Sequence, residues 1–260
     1  IELVRMLGRT GAARAQEVLL PLAKAKSIGL RLAVIEALGV LRTGSAAVDE
    51  TLLAAIDDEQ PEVRQRAAMA LARVGTGASA PKLLDRLNVA AEQDRGALGI
   101  ALSGALARST DDKLVERVAR SIGSAPDIAR DALIEGLGRM PGAGASKALA
   151  SIATGSVDDR RKVAEALGGH PEASAALVKM LADPDAGVRA NAAWSLGAFA
   201  KKDTVAALLP LLKDPDVAVA GNAAAVLGRI GARDNAAKDV TAPLCTATSD
   251  TRSYVRANAL

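Results

Sequence analysis

The chain has 260 residues, of which 50% are hydrophobic, but it contains only one Phe, one Tyr and one Trp. A core of this size usually holds more aromatic side chains, so we expect one built from Ala, Leu and Val. The 33 basic and 30 acidic residues are interspersed, so the net charge of +3 gives no indication of a polyanion-binding protein. The single cysteine, Cys245, excludes an internal disulfide framework and a multi-cysteine metal site. No apolar run approaches the roughly 18 residues of a transmembrane helix.

An internal repeat runs through the whole chain. The pattern V-R-x-x-A-A-x-x-L-G recurs as LRLAVIEALG (30–39), VRQRAAMALA (63–72), DRGALGIALS (94–103), ARDALIEGLG (129–138), DRRKVAEALG (159–168), VRANAAWSLG (188–197), VAGNAAAVLG (219–228) and VRANAL (255–260). Its arginine position, which we call the motif arginine, recurs every 29 to 36 residues and is Ala220 in the seventh copy. This period matches one helical hairpin whose loops tolerate insertions.

A second apolar run precedes each copy of the pattern, as in AVDETLLAAID (47–57), ASAPKLLDRL (78–87), SAALVKMLAD (174–183) and DTVAALLPLLKD (203–214). Its apolar residues recur at three and four positions, which is helical spacing. The turns EQPE (59–62) and DPD (183–185 and 214–216), and the glycine that ends the pattern, are expected to separate successive helices. Each repeat is therefore predicted to be helix, short turn, helix.

One hairpin cannot bury both of its apolar faces, so the repeats are predicted to stack. The fold class is then an all-α solenoid, a right-handed superhelix of about eight hairpins with a groove lined by one row of helices. Leucines seven places after the motif arginine fill the seam: Leu38, Leu71, Leu102, Leu137, Leu167, Leu196 and Leu227. The predicted repeats cover residues 1–11 (partial), 12–44, 45–77, 78–109, 110–142, 143–169, 170–200, 201–231 and 232–260 (partial). Because both ends fall within a repeat, we expect a fragment of a longer protein.

The pattern DPDxxVRxxAAxxLG resembles the HEAT-like repeat of the phycobilisome lyase type, in the HEAT/armadillo superfamily, over essentially the whole chain. This resemblance implies scaffolds, adaptors, chromophore lyase subunits and a few enzymes alike, so it specifies the fold and not an activity. Two features depart from it: Ala220 replaces the arginine, and the copy at 128–140 is loose.

The motif arginines could form a row that binds anions, but their position on the helix favours a structural role. Residues three, four, seven and eight places later are apolar and lie on the same side of the helix, so the arginine faces the stack. We expect these arginines to bond carboxylates and turn carbonyls between repeats, with Ala220 a missing contact. They are Arg31, Arg64, Arg95, Arg130, Arg160, Arg189 and Arg256.

The opposite face of the same helix carries the positions two, five and nine places after the motif arginine. Residue types vary there, so we expect these columns to point into the groove or to solvent and to form a binding surface. Trp194 is the sharpest candidate for a partner anchor, although its ring could instead cover the neighbouring helix. The candidate groove residues are Arg66, Met69, Arg73, Glu135, Arg139, Lys162, Glu165, Asn191, Trp194, Asn222 and Arg229.

The predicted function is a non-catalytic scaffold or adaptor that binds a protein or peptide partner in the groove, in the cytoplasm. Two alternatives stay open: a bilin lyase-like or chaperone-type chromophore-binding module, and a nucleic-acid-binding protein. No catalytic residues, cofactor or metal site are predicted. The di-iron hydroxylases among HEAT-like proteins imply paired His-Glu motifs, whereas this chain has one histidine, His170, which we expect to be solvated in a turn.

Overall fold

A computed structural model describes residues 1–12, 14–41, 44–234 and 236–260. Every regular element within these ranges is helical, and the helices alternate with short turns as hairpins, which confirms the all-α solenoid class. The chain divides into two compact units, Ile1–Ala145 and Ser146–Leu260.

The first unit begins with a lone helix and continues as hairpins. Its helices are α1 (Glu2–Arg9), α2 (Arg14–Leu22), α3 (Ile28–Val40), α4 (Ala46–Ala55), α5 (Pro61–Val74), α6 (Ala80–Val89), α7 (Glu92–Leu106), α8 (Asp112–Ile122) and α9 (Asp127–Arg139). The next helix, α10 (Ala143–Ile152), contains the boundary between the units. The even-numbered helices open the hairpins and the odd-numbered helices, which carry the repeated pattern, close them.

The second unit continues the alternation of opening and closing helices. It contains α11 (Val157–Ala166), α12 (Ser174–Met180), α13 (Ala186–Leu196), α14 (Val205–Leu208), α15 (Val217–Arg233), α16 (Ala237–Ala247) and α17 (Ser253–Asn258). Short 3₁₀ segments at Pro171–Ala173, Lys202–Thr204 and Leu209–Lys213 complete the opening helices. Aspartates at the turns cap the closing helices: Asp185 Oδ1 accepts a hydrogen bond from the Val188 N–H at 2.9 Å, which satisfies a free helix donor.

The closing helices of each unit pack one against the next in a row, α1 to α9 in the first unit and α11 to α17 in the second. The seven seam leucines of the pattern are at most 1% exposed. Small residues allow the close approach: a Cβ atom added to Gly39 would lie 2.9 Å from the Ala70 Cβ of the next closing helix. The core is thus built mainly from Leu, Ala and Val, without a buried aromatic cluster.

The glycine that ends the pattern stops the helix in only some copies: Gly197 directly follows the last residue of α13, as the sequence predicts, whereas other copies differ. Gly39 lies inside α3 and Gly228 lies inside α15. Where the described residues contain a glycine with positive φ, it is in a loop, at Gly11 and Gly142. The missing side chain at Gly39 serves close packing on the neighbouring helix, which a pattern within one repeat cannot show.

The motif arginines join the turns of successive hairpins. Arg189 donates from Nε and Nη2 to the two carboxylate oxygens of Asp214 in the next turn, at 2.8 and 2.9 Å. Its Nη1 donates to the carbonyl oxygens of Asp183 and Pro184 in its own turn, at 2.9 and 3.0 Å. We call this arrangement the turn-to-turn ion pair. It recurs at Arg31 with Asp58 and at Arg160 with Asp183.

The aspartate of each pair also folds its own turn. Asp214 Oδ1 accepts a hydrogen bond from the Asp216 N–H at 2.9 Å, and Asp183 Oδ1 accepts one from the Asp185 N–H at the same distance. Burial raises the pKa of Asp214, but the Arg189 guanidinium and the Asp216 N–H outweigh it and lower the pKa overall. Bonding to Arg160 likewise lowers the pKa of Asp183.

Other motif arginines lack an aspartate at the matching place and bond differently. Arg64 reaches Asp94 at 3.2 Å, because the turn between α6 and α7 is short and Val89 stands where the aspartate would be. A cavity of about 400 Å³, lined in part by Arg64 and Asp94, remains beside this turn. Arg95 Nε is buried without a hydrogen-bond partner in the described part of the chain, and Ser124 replaces its aspartate.

The remaining two motif arginines bond carbonyls of their own turns. Arg130 donates to the carbonyl oxygens of Ile122 and Ala125 at 3.3 and 2.9 Å. Arg256 donates to those of Asp250 and Thr251 at 2.7 and 2.9 Å. Arg130 and Arg256 therefore both cap carbonyl oxygens of their own hairpin turns, as Arg189 does.

The contact expected to be missing at Ala220 is supplied by another residue. Arg252, in the turn between α16 and α17, reaches back and donates to the carbonyl oxygens of Asp214 and Leu212. The Asp214 carbonyl corresponds to the Asp183 carbonyl that Arg189 bonds one repeat earlier. Arg252 also pairs with Asp250 at 2.8 Å, and this bonding lowers the pKa of Asp250 to about 2. A guanidinium thus occupies this turn although residue 220 is alanine.

Truncating a seam leucine is expected to destabilise the protein strongly. Leu102 is fully buried in α7, so Leu102→Ala should lower the free energy of unfolding by about 2–5 kcal/mol through lost burial and a residual cavity. Ile100 lies two residues away on the same helix and is 60% exposed, so Ile100→Ala should change it by less than about 0.5 kcal/mol. Urea unfolding of both variants makes the comparison, and equal losses would contradict the stacked arrangement.

The turn-to-turn ion pair predicts a specific dependence of stability on pH. The pKa of Asp214 lies below its ordinary value of 3.8, so its carboxylate stabilises the folded state above that pH, and the stabilisation is lost as the pH falls through the folded-state pKa. Asp214→Asn should cost about 2 kcal/mol at neutral pH and progressively less below about pH 4. Asp57→Asn, which breaks the more exposed pair with Arg86, should cost at most about 1 kcal/mol. A pH-independent effect of Asp214→Asn in urea titrations would contradict this assignment.

The replacement of the motif arginine by Arg252 can be tested by moving the guanidinium back. Arg252→Ala should destabilise the protein by about 1–3 kcal/mol, because the Asp214 and Leu212 carbonyls lose a charged donor. Adding Ala220→Arg to that variant should recover part of the loss, whereas Ala220→Arg alone should not stabilise, since Ala220 is fully covered. Thermal and urea unfolding report the result. Equal effects of Ala220→Arg in both backgrounds would show that the two positions do not share one site.

Candidate functional site

The free side of the closing-helix row carries the residues that the sequence nominated for binding. We call it the closing-helix face, and define it in each unit by the exposed and half-exposed side chains on the free side of the odd-numbered helices. In the first unit it includes Arg66, Met69, Arg73, Glu135 and Arg139, and in the second Lys162, Glu165, Asn191, Trp194 and Arg229. Each helix of the row is held by its neighbours and by its own opening helix, so the remaining side is the one left to solvent.

Most charged groups of the face in the first unit neutralise one another. The Glu36 carboxylate lies 3.5 Å from both Arg5 Nε and Arg66 Nη1, so it joins arginines of the helices on either side of α3. Arg139 pairs with Glu135 on the same helix at 2.8 Å. Arg73 differs from these arginines, since its side chain extends back over Gly39 of the preceding closing helix.

Apolar side chains of the first unit also stand on this face. Met69 and Ile100 occupy the place five residues after the motif arginine in α5 and α7, and both are exposed. Each is flanked by small residues of its own helix, such as Ala97 beside Ile100. The face of this unit thus combines isolated apolar side chains with self-paired charges.

The second unit presents the only tryptophan of the chain. Trp194 occupies the same place in α13 that Met69 and Ile100 occupy in α5 and α7, and it is 60% exposed. Its indole makes no hydrogen bond or ring contact within the residues that the structure describes. The ring is therefore largely open to solvent.

Two exposed charges near Trp194 have no partner among the residues that the structure describes. Glu165 precedes Trp194 by one repeat in α11, and Arg229 follows it in α15. Neither side chain makes a hydrogen bond or ion pair with any described residue. The Arg229 guanidinium lies against Gly197, close to the Trp194 carbonyl oxygen. An exposed guanidinium thus extends over the C-terminal end of the helix that carries Trp194.

Asn222 contradicts the expectation that its column points to solvent. It is 9% exposed, its Nδ2 donates to the Ala190 carbonyl oxygen at 3.0 Å, and its Oδ1 accepts a hydrogen bond from the Tyr254 hydroxyl at 3.0 Å. Asn191 makes the matching bond to the Arg161 carbonyl at 3.0 Å but stays half-exposed. A wheel drawn for one helix omits the neighbouring closing helix, which covers this column. Asn222 therefore holds repeats together and is not a free binding group.

His170 is not solvated, so that expectation is also wrong. The side chain is 3% exposed, and Nδ1 lies 3.3 Å from Glu172 Oε1. The pKa of Glu172 is lowered, chiefly by its own backbone N–H, against the raising effect of burial. Two 3₁₀ segments, Leu167–Gly169 and Pro171–Ala173, flank His170 and fold it inward.

The described residues contain no group of three or more His, Cys, Asp or Glu side chains placed to hold a metal ion. No helix among them has both the length and the apolar character needed to cross a bilayer. Cys245 is exposed on α16. The feature that stands out chemically is thus the exposed indole with its unpaired neighbours.

Comparison with known proteins identifies the repeat. A family model described as HEAT repeats matches residues 31–103 and 174–260. No curated protein sequence is significantly similar to the chain.

Solved structures share the fold at low sequence identity. A chain of the Kap95p–RanGDP structure matches with a TM-score of 0.60 and 13% identity, over 98% of this chain and 42% of that chain. Kap121p bound to Pho4p matches with a TM-score of 0.57 and 14% identity, over 95% of this chain and 33% of that chain. The CpcE–CpcF phycocyanin lyase complex from Nostoc sp. PCC7120 matches with 20% identity over 88% of this chain and 93% of that chain, with a lower TM-score of 0.46.

Proposed function

This chain belongs to the HEAT-repeat family, and we propose that it is a non-catalytic scaffold or adaptor that binds a protein or peptide partner on its closing-helix face. Two structures with the same fold have protein partners, since Kap95p binds RanGDP and Kap121p binds Pho4p. The likeness extends to the fold, so the choice of surface rests on this chain's own residues. The proposal includes a cytoplasmic location.

The exposure of Trp194 is the observation that carries the proposal. Leaving an indole in water forfeits burial of a large apolar surface, and tryptophan is among the residues that contribute most to binding at protein interfaces. The chain has only three aromatic residues, and its core is built without them. An exposed indole that makes no hydrogen bond or ring contact with the described residues is therefore best explained as an anchor for a partner.

Helix spacing supports the groove part of the proposal. Within each unit the closing helices pack more closely on one another than the opening helices do. In a curved stack the more closely spaced row of helices lies on the inner side, which supports a groove on the closing-helix face. The partner contacts that we propose are Arg66, Met69, Arg73, Glu135, Arg139, Lys162, Glu165, Asn191, Trp194 and Arg229. Asn222 is left out because it is buried.

The two alternatives from the sequence stay predictions without specific support. A chromophore site needs apolar walls and cations in one pocket, whereas Trp194 stands on an open face. A nucleic-acid site needs unpaired cations with several stacking aromatics, whereas Arg66 and Arg139 pair with glutamates.

Trp194→Ala tests the proposal directly. Peptides selected on the folded wild-type protein from a random displayed library should bind the variant about 30-fold more weakly, because an anchor of this kind contributes about 2 kcal/mol. Fluorescence anisotropy of labelled peptides gives both dissociation constants. Ile100→Ala is the matched control, since Ile100 is equally exposed at the same repeat position in the first unit, and it should leave affinity unchanged. Unaltered affinity of folded Trp194→Ala for the selected peptides would reject the anchor.

A further inference from the structure

We infer that the partner segment bound by the second unit is an extended peptide with a basic, an apolar and an acidic residue in line, contacting Glu165, Trp194 and Arg229 respectively. The inference rests on the proposed function and adds the chemistry of the partner. It follows from a comparison of the charged residues of the closing-helix face that have ion-pair partners within the chain with those that have none among the described residues.

The contrast between the two units carries the first step. In the first unit Glu36 contacts two arginines and Glu135 contacts Arg139, so a partner would have to displace internal ion pairs. In the second unit Glu165 and Arg229 have no such partner among the described residues. Unpaired charges beside an exposed indole offer complementarity to a ligand without that displacement.

The other cations near Trp194 are already occupied. Arg161 donates from Nε and Nη2 to the two carboxylate oxygens of Asp185, both at 2.8 Å. Lys162 has a partner within the chain. Arg229 is therefore the guanidinium available to a ligand carboxylate at this place, and Glu165 is the corresponding carboxylate for a ligand cation.

Helix geometry sets the order and the spacing. Glu165 and Trp194 stand at the same position on neighbouring closing helices, whose axes are about 10 Å apart. An extended peptide advances about 3.3 Å per residue, so its basic residue should lie about three positions from the apolar one. The Arg229 side chain reaches back over Gly197 toward Trp194, so the acidic residue should follow within about two positions. The expected ligand reads basic-x-x-apolar-x-acidic, in either chain direction.

Two synthetic peptides test the inference, one with Lys-x-x-Leu-x-Glu and one with the two charges exchanged, both with Ser and Ala as spacers. Because Trp194 is the only tryptophan, its intrinsic fluorescence reports binding at this place. The wild-type protein should bind the first peptide about tenfold more tightly, and added salt should weaken this preference. The double variant Glu165→Lys with Arg229→Glu should reverse the preference.

Lys179→Glu is the control, since Lys179 is an exposed cation of the same unit that lies on the opening helix α12, away from the closing-helix face, and it should leave both affinities unchanged. Circular dichroism of each variant checks that it is folded. Equal binding of both peptides to the wild type, or an unreversed preference in the double variant, overturns the inference, as does a failure of both peptides to change the fluorescence. The proposed function is judged separately by the library-selected peptides, so failure of the inference leaves the proposed function standing.

Discussion

The turn-to-turn ion pair is the constraint on which the rest of the structure depends. Arg189 bonds the carbonyl oxygens of its own turn and the Asp214 carboxylate of the next, while that carboxylate also closes the next turn. Both groups are largely buried, so leaving either without the other would strand a charge away from water. A shift of one hairpin along the next would break the turn-to-turn ion pair and also separate the packed seam leucines. Equivalent positions of successive closing helices are thereby kept in line, so the residues at one repeat position form a column along the closing-helix face.

The substitution at residue 220 shows what this arrangement requires. The seventh copy lacks its arginine, yet Arg252 brings a guanidinium to the same turn from the following hairpin. The turn therefore requires a charged donor at its carbonyl oxygens, and this donor can come from the motif position or from the following hairpin. Arg95 shows the opposite case, because Ser124 provides no carboxylate and one buried nitrogen is left without a hydrogen bond. The arginine or the aspartate of one repeat can therefore vary as long as the neighbouring repeats keep the hairpins in register.

The sequence predicted whatever one hairpin determines by itself. Helix pairs, the leucine seam and the family follow from local periodicity and from the turn residues, because these repeat with every copy. The burial of Asn222, the packing role of Gly39 and the action of Arg252 all depend on the next hairpin, which a wheel for one helix omits. His170 was misjudged for a related reason, since two 3₁₀ segments turn a loop residue inward. For the candidate site, the position of Trp194 on the face could be read from the sequence, but which neighbouring charges are paired could not.

Pairing of the glutamates is what makes the closing-helix faces of the two units chemically different, although both units are built from the same repeat. Where a glutamate and arginines meet across the row, as at Glu36, the face satisfies itself and offers a partner little electrostatic gain. Where the columns bring a lone carboxylate, an indole and a lone guanidinium into one line, an incoming chain can gain from all three at once. Because the ion pairs at the turns hold the helices in place, these groups need little reorganisation on binding, and the cost of ordering falls mainly on the peptide. The stability of the stack and the specificity of its face thus have one origin, the division of charged residues between turns and columns.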